Sequence, residues 1–165
     1  MDVLMALLLM GSRPALVDNQ TTEVLSEQHC LASNIYFEAR SEIAAGKKAV
    51  AQVTLNRVNS GKYPKTICAV VLQHKQFSWT HQVPREQRQR ALSGLAPLNS
   101  ELESLAYAEA KTIAKEAMNT SSTALPNSVL WYHTTEVHPA WNKRMSKVKV
   151  IGSHVFYKHK IEGKI

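Results

Sequence analysis

The chain has 165 residues, 44% of them hydrophobic and 20% charged, which suits one folded domain and excludes a disordered chain. Lys and Arg number 20 against 13 Asp and Glu, so the net charge of +7 points to an anionic partner: nucleic acid, a phospholipid surface or an acidic wall polymer. The 2 cysteines exclude a disulfide-dense scaffold, and no apolar run approaches the roughly 20 residues that span a bilayer, so stable membrane insertion is not expected.

Residues 1–22 read as an N-terminal leader, and residues 23–165 as the folded domain. Val3 to Met10 has the apolar length of an export signal, but a positive n-region and an A-x-A cleavage site are lacking. An export or membrane-contact signal and an unstructured or docked leader both stay open. From Thr22 to about Glu42 the apolar residues Val24, Leu25, Leu31 and Ile35 recur at helical spacing. A second helix is expected from about Gly46 to Asn59, with Ala49, Val50 and Val53 towards the core. Gly61 and Pro64 break it, and Pro64 is placed to open a third, short helix through Leu72. Arg85 to Leu92 reads as a short exposed helix. Ser100-x-x-Glu103 is a capping-box signature. It opens a helix with an apolar stripe of Leu102, Leu105, Ala106, Ile113 and Ala117, and with Glu109, Lys111, Lys115 and Glu116 on the solvent side. After Pro126 the pattern turns strand-like at Val129–Tyr132, Val148/Val150 and Val155–Tyr157, with Gly152-Ser153 placed to turn a hairpin. The expected fold class is α+β, mainly α, with a small C-terminal antiparallel β element.

The only aspartates are Asp2 and Asp18, so the folded part lacks the Asp of a Walker-B site, an EF-hand loop or an aspartic dyad. One carboxylate stands out. Glu38 lies in Asn34-Ile-Tyr36-Phe-Glu38-Ala-Arg40, among apolar and aromatic residues near a helix end. Partial burial there raises a carboxyl pKa and suits a general acid, whereas pairing with Arg40 or Lys47 would make Glu38 an ordinary surface residue. Gln76-Phe-Ser78-Trp79 joins hydrogen-bonding side chains to aromatics, a mixture that suits a sugar. Trp131-Tyr132-His133 with His138 and Trp141 is a third concentration of rings. Two cysteines permit one intramolecular pairing, Cys30 with Cys68, which would tie the Glu38 helix to the segment leading to Gln76. Two buried free thiols are the alternative.

Cys30-Leu-Ala-x-Asn34-x-Tyr36-x-Glu38-Ala-Arg40 resembles the signature of the SleB-type cell-wall hydrolases, the family of spore cortex-lytic enzymes and related single-domain phage endolysins. Further blocks follow in the same order: Ala49–Val58, Tyr63–Val71, Gln76–Trp79, Tyr132-His133, Val137-x-Pro139-x-Trp141 and Ile151–Tyr157. The resemblance runs from about residue 28 to 158. Ser41 and Thr134 depart from it, standing where Gly and Ala are frequent. It implies a lysozyme-like lytic transglycosylase fold and cleavage of peptidoglycan between N-acetylmuramic acid and N-acetylglucosamine, with the family's catalytic glutamate falling on Glu38.

Such an enzyme needs one carboxylate where ordinary glycosidases use two. Asn34, Tyr36, Gln76, Ser78, Tyr132 and His133 are the candidates for orienting the sugars; Trp79 and Trp141 suit core as well as contact. No cofactor and no metal are expected. The partner is bacterial peptidoglycan and not nucleic acid. The enzyme is expected as a monomer acting in the periplasm or wall, made in the host cytoplasm and released at lysis if phage-encoded. Three alternatives stay open: hydrolysis with a water placed by Glu42, a zinc amidase drawing on the 7 histidines, and a basic nucleic-acid-binding module built on Lys143 to Lys160. His133/His138 and His154/His159 have a spacing that does not put a pair on one helical face.

Overall fold

A computed structural model describes residues 25–120 and 124–160; the leader expected over residues 1–22 lies outside them. Helix α1 (Glu27–Ala39) is buried continuously from Cys30 to Tyr36 and again at Ala39. A helix buried around its circumference belongs in the middle of a bundle. Helices α2 (Ala44–Asn59), α3 (Ile67–Val71), α5 (Arg85–Leu92) and α6 (Glu101–Asn119) all pack on it. The short α4 (Trp79–Gln82) inserts Trp79 into the same core, stacked on Phe37 with ring centroids 4.7 Å apart.

The helix bounds differ from the expectation at both ends of α1 and at the start of α3, and α4 is a helix the sequence pattern does not announce. Leu25 and Ser26 are not helical, and α1 ends before Glu42, which leaves Glu42 in a turn. Helix α3 does not open on Pro64: the Thr66 hydroxyl accepts the Ala69 N–H, and the Glu27 carboxylate accepts the N–H groups of Ile67 and Cys68. Those donors are the ones a helix start leaves free, so capping sets the boundary.

Helix α6 starts where the capping box placed it, with Ser100 accepting the Glu103 N–H. Its buried face, however, is Tyr107, Ala110, Ile113 and Ala114, while Leu102 and Leu105 are 79% and 61% exposed. Small alanines let α6 approach α1 closely, and Tyr107 meets Tyr36 at 5.7 Å between centroids. Glu109 is not simply solvated: it pairs with the buried Lys47 at 2.6 Å.

The C-terminal element is a three-stranded antiparallel sheet of β1 (Val129–Thr134), β2 (Met145–Ile151) and β3 (His154–His159) in the order β1-β3-β2. Gly152-Ser153 turns the β2–β3 hairpin, with Gly152 at φ +57°, a conformation that favours glycine. A smaller core of Ala49, Val53, Leu125, Val129 and Phe156 seals the sheet against α2. Polar side chains of α2 fasten the same joint: Asn56 donates to the carbonyls of Pro126 and Val129, both at 3.0 Å, and Arg57 Nε to that of Leu130 at 2.8 Å. Among the described residues no helix is long and apolar enough to cross a membrane.

Cys30 and Cys68 are joined in a disulfide between α1 and α3, with Cα atoms 5.2 Å apart. The bridge closes a sequence separation of 38 residues. In the chain-entropy picture such a loop is worth about 3–4 kcal/mol. Reduction should therefore lower the urea midpoint with little change in native circular dichroism. Two alkylatable thiols in denatured, unreduced protein would mean that the bridge does not form.

Candidate active site

Helix α1 delivers Glu38 in its last turn, half-buried, at the floor of a cleft of about 460 Å³. Ser78, Trp79 and Gln82 line one side, and Thr134, Ser153 and His154 from the sheet line the other. Tyr132 Oη donates to Glu38 Oε2 at 3.1 Å. Arg57 is only 4% exposed, with its guanidinium 5.3 Å from the centroids of both Tyr63 and Phe77. Its Nη1 has no hydrogen-bond partner among the described residues, so this buried cation relies on the Leu130 carbonyl at Nε and on ring faces.

Burial is the largest influence on Glu38 and lifts its pKa above the ordinary 4.5; the Tyr132 hydrogen bond and the positive charge of Arg57 pull the other way, and less. Tyr132 is pushed well above the usual phenol range, chiefly by burial and then by the Glu38 charge, and so stays a donor. Tyr132 occupies Oε2, which leaves Oε1 as the oxygen free to carry a proton into the cleft.

The second nearby carboxylate is engaged elsewhere. Glu42 accepts the Ser153 N–H at 3.0 Å on Oε2 and the Ser153 hydroxyl on Oε1, and lies 3.9 Å from His154 Nδ1. These bonds, the hydroxyl first, hold its pKa below the ordinary value. Gly152 makes the clasp possible, because a Cβ there would lie 2.0 Å from Glu42 Oε2. His154 is 2% exposed, and burial lowers its pKa.

The sequence-derived contacts divide sharply. Tyr132 reaches Glu38, and Ser78 is exposed on the cleft wall. The other four do not line the cleft. Asn34 is fully buried: its Nδ2 donates to Thr54 Oγ1 at 3.2 Å and its Oδ1 accepts Trp79 Nε1–H at 3.0 Å, so it holds the core and has no surface for a sugar. Tyr36 is 1% exposed and donates to Glu103 on α6. Two residues along a helix is a rotation of about 200°, which turns Tyr36 away from Glu38. His133 lies next to Tyr132 on a strand and therefore faces the opposite side of the sheet. Its Nδ1–H donates to the Thr134 carbonyl at 2.8 Å and its Nε2 accepts from Tyr157 Oη at 2.9 Å, leaving neither nitrogen for a ligand. Gln76 is half-buried in the turn before α4. Trp79 is core, and Trp141 packs edge-on against His133 and Tyr157 on the outer face of the sheet. The Cys30–Cys68 bridge supports the Glu38 helix from behind.

Sequence reading missed Arg57 as a site residue. The signal was present: Arg57 follows Val50 and Val53 on the buried face of α2, where an unpaired cation is out of place. The Glu42–Ser153 clasp carries no comparable signal, since its partners are far apart in the chain. Among the described residues no three His, Cys, Asp or Glu side chains are grouped to hold a metal ion.

A helix-borne carboxyl whose pKa is raised by burial, with a phenol and a cation nearby in an open cleft, suits acid–base chemistry. The chain belongs to the Cell Wall Hydrolase family, whose model matches residues 41–157. That span starts just after Glu38 and includes Glu42, Arg57, Tyr132 and the hairpin. The spore cortex-lytic enzyme of Bacillus cereus is 25% identical over 128 residues, 78% of this chain and 42% of the relative. That of Oceanobacillus iheyensis is 42% identical over 48 residues. The chain thus spans about two fifths of the length of the Bacillus cereus relative. Among solved structures it resembles the catalytic domain of Bacillus cereus SleB, with a TM-score of 0.58 and 26% identity over 82% of this chain and 94% of that one. The catalytic domain of the germination-specific lytic transglycosylase SleB from Bacillus anthracis gives a TM-score of 0.62 and 25% identity, covering 84% of this chain and 98% of that one.

The two glutamates should act oppositely on stability. Glu38 binds its proton more tightly in the folded state, so it costs stability as pH rises from 4.5 through its raised value. The contribution of Glu42 is full above 4.5 and is lost as pH falls through its lowered value. At neutral pH Glu38→Gln should melt at or above the parent, whereas Glu42→Gln should lose about 1 kcal/mol, after discounting for solvent screening. Both differences should shrink towards about pH 3. Melting curves across pH check this, and a Glu38→Gln protein destabilised equally at every pH contradicts it.

Proposed function

We propose that this chain is a peptidoglycan-cleaving enzyme that cuts the glycan strand between N-acetylmuramic acid and N-acetylglucosamine as a lytic transglycosylase, with Glu38 as its single acid and base. The observation that carries this reading is Glu38, its pKa raised by burial, in an open cleft whose other carboxylate, Glu42, is bonded through both oxygens to Ser153. Glu38 Oε1 gives its proton to the glycosidic oxygen, and the leaving sugar departs with that oxygen as a hydroxyl. The substrate's own 2-acetamido carbonyl stabilises the cationic anomeric carbon. Glu38, now a carboxylate, takes the proton of the muramic acid 6-hydroxyl, whose oxygen bonds to the anomeric carbon and closes the 1,6-anhydro ring. Proton and charge balance without water.

Tyr132 and Arg57 stabilise the carboxylate left by the first step, and burial favours its reprotonation in the second. Ser78, Gln82 and Thr134 are placed to contact sugars on the two walls. A place of action in the periplasm or wall, as for an endolysin, follows from that substrate. Hydrolysis with Glu42 as the base is less well served, because Glu42 has a lowered pKa and occupied oxygens.

Glu38→Gln should reduce activity on peptidoglycan by about 10²–10⁴-fold while the protein stays folded. Mass spectrometry of wall digested by the parent should find anhydro-muramyl ends. Reducing muramic acid ends would turn the reading to hydrolysis, and free stem peptides with intact glycan would overturn it.

A further inference from the structure

A second cavity, of about 280 Å³, lies at the other end of the sheet. Lys62, Lys158 and Lys160 bring positive charge to it, and Ser60, Asn127 and Ser128 bring neutral hydrogen-bonding groups. None of its lining residues lines the cleft of Glu38. The two cavities sit at opposite ends of β3, with His154 at the cleft and Lys158 at this pocket. At the usual rise per strand residue they are roughly 13 Å apart along that strand. Among the described residues no carboxylate pairs with the three lysines.

Lys62 and Lys158 line this polar hollow together with Lys160, whose Nζ is held by the Lys143 carbonyl, and an anion relieves the repulsion of like charges gathered there. Strand β2 runs from the pocket end back to the cleft end, with Lys147 and Lys149 exposed along it. Lys143 joins the start of this path, as its carbonyl accepts the Lys160 Nζ at 2.9 Å. The basic groups thus form a track and not a single point. Ammonium groups suit phosphate as compact charges, and hydroxyl and amide groups can complete its oxygen shell.

We propose that this pocket binds the phosphate groups of a phosphodiester polymer of the cell envelope and, with the β2 track, holds the enzyme on the wall beside its glycan substrate. The phosphate chemistry comes from the pocket; that the polymer is a wall polymer rests on the reading under Proposed function. The site contributes to association and not to bond cleavage.

The test measures binding of full-length protein to poly(glycerol phosphate), with polyglutamate and single-stranded DNA of equal charge as comparators. Lys62→Gln/Lys158→Gln should weaken binding to poly(glycerol phosphate) by about tenfold and flatten the slope of log affinity against log salt by about 2. The charge-matched Lys65→Gln/Lys115→Gln protein should stay within about twofold of the parent. Lys62 is exposed, so Lys62→Gln alone gives a folded probe should the double variant melt early. Equal losses in the two double variants would overturn the proposal, because the attraction would then be spread over the surface. Equal binding of polyglutamate would overturn phosphate recognition, and tighter, lysine-dependent binding of DNA would make this a nucleic-acid site. Cleavage of a short phosphate-free glycan should be unchanged in Lys62→Gln/Lys158→Gln. A parent inactive on that glycan but still selective for poly(glycerol phosphate) would sink the catalytic reading and leave the pocket standing.

Discussion

Everything in the site depends on the burial of α1. A helix covered on all sides cannot slide or turn without breaking contacts on several neighbours at once, so the atom it carries past its buried stretch is fixed in space. Three devices add to that constraint. The disulfide fastens the helix to α3, the Asn34 side chain bonds it to both Thr54 and Trp79, and Tyr36 bonds it to Glu103 on α6. Leaving a buried group such as Asn34 without partners costs about 1–3 kcal/mol, so the amide specifies one orientation as well as stabilising it. Glu38 emerges one turn beyond Asn34, with its direction set by groups that never meet a ligand.

The sheet must then be held in register with that helix, and polar side chains of α2 do this more specifically than the small apolar core beneath. Asn56 and Arg57 grip the carbonyls of Pro126, Val129 and Leu130 around the start of β1, and Tyr132 follows two residues after the carbonyl that Arg57 holds. Arg57 thereby acts twice, once as a mechanical tie and once as a charge behind Glu38. At the far end of β1 the chain is held by the Thr135 N–H to the Ser153 carbonyl at 2.7 Å, and Ser153 in turn clasps Glu42. The cleft is therefore shaped by side-chain contacts between segments 70 to 111 residues apart in sequence, which makes it a property of the whole fold.

Local signals made much of this legible from sequence. The α5 bounds, the Ser100 cap and the Gly152-Ser153 hairpin each follow from a few neighbouring residues. The burial expected for Glu38 from its apolar company is present, and its hydrogen-bond partner, Tyr132 on β1, is distant in sequence. The failures have one cause: partners distant in sequence. Leu102 and Leu105 were placed inside by hydropathy, but the alanine face of α6 packs more closely on α1. Asn34, Tyr36 and His133 read as sugar contacts because they are polar residues in the matched motifs. Each is consumed by an internal hydrogen bond, and a sequence does not distinguish a polar group that serves the fold from one that serves a ligand.

The opposition of forces on Glu38 bears on the mechanism proposed above. Burial alone would make a carboxyl that holds its proton too firmly to serve as an acid, while a close ion pair with Arg57 would leave it ionised and useless for the first step. Arg57 instead binds a carbonyl and leans on Tyr63 and Phe77, so its charge reaches Glu38 without a direct bond. Tyr132 donates a neutral hydrogen bond to Glu38 that strengthens as negative charge develops. In the proposed mechanism one carboxyl both loses and regains a proton within a turnover, so neither form can be held too firmly. A cation with no direct bond to Glu38, together with the Tyr132 phenol that is bonded to it, opposes burial less strongly than a salt bridge would, which fits a buried arginine, its Nη1 unpaired among the described residues, to that mechanism.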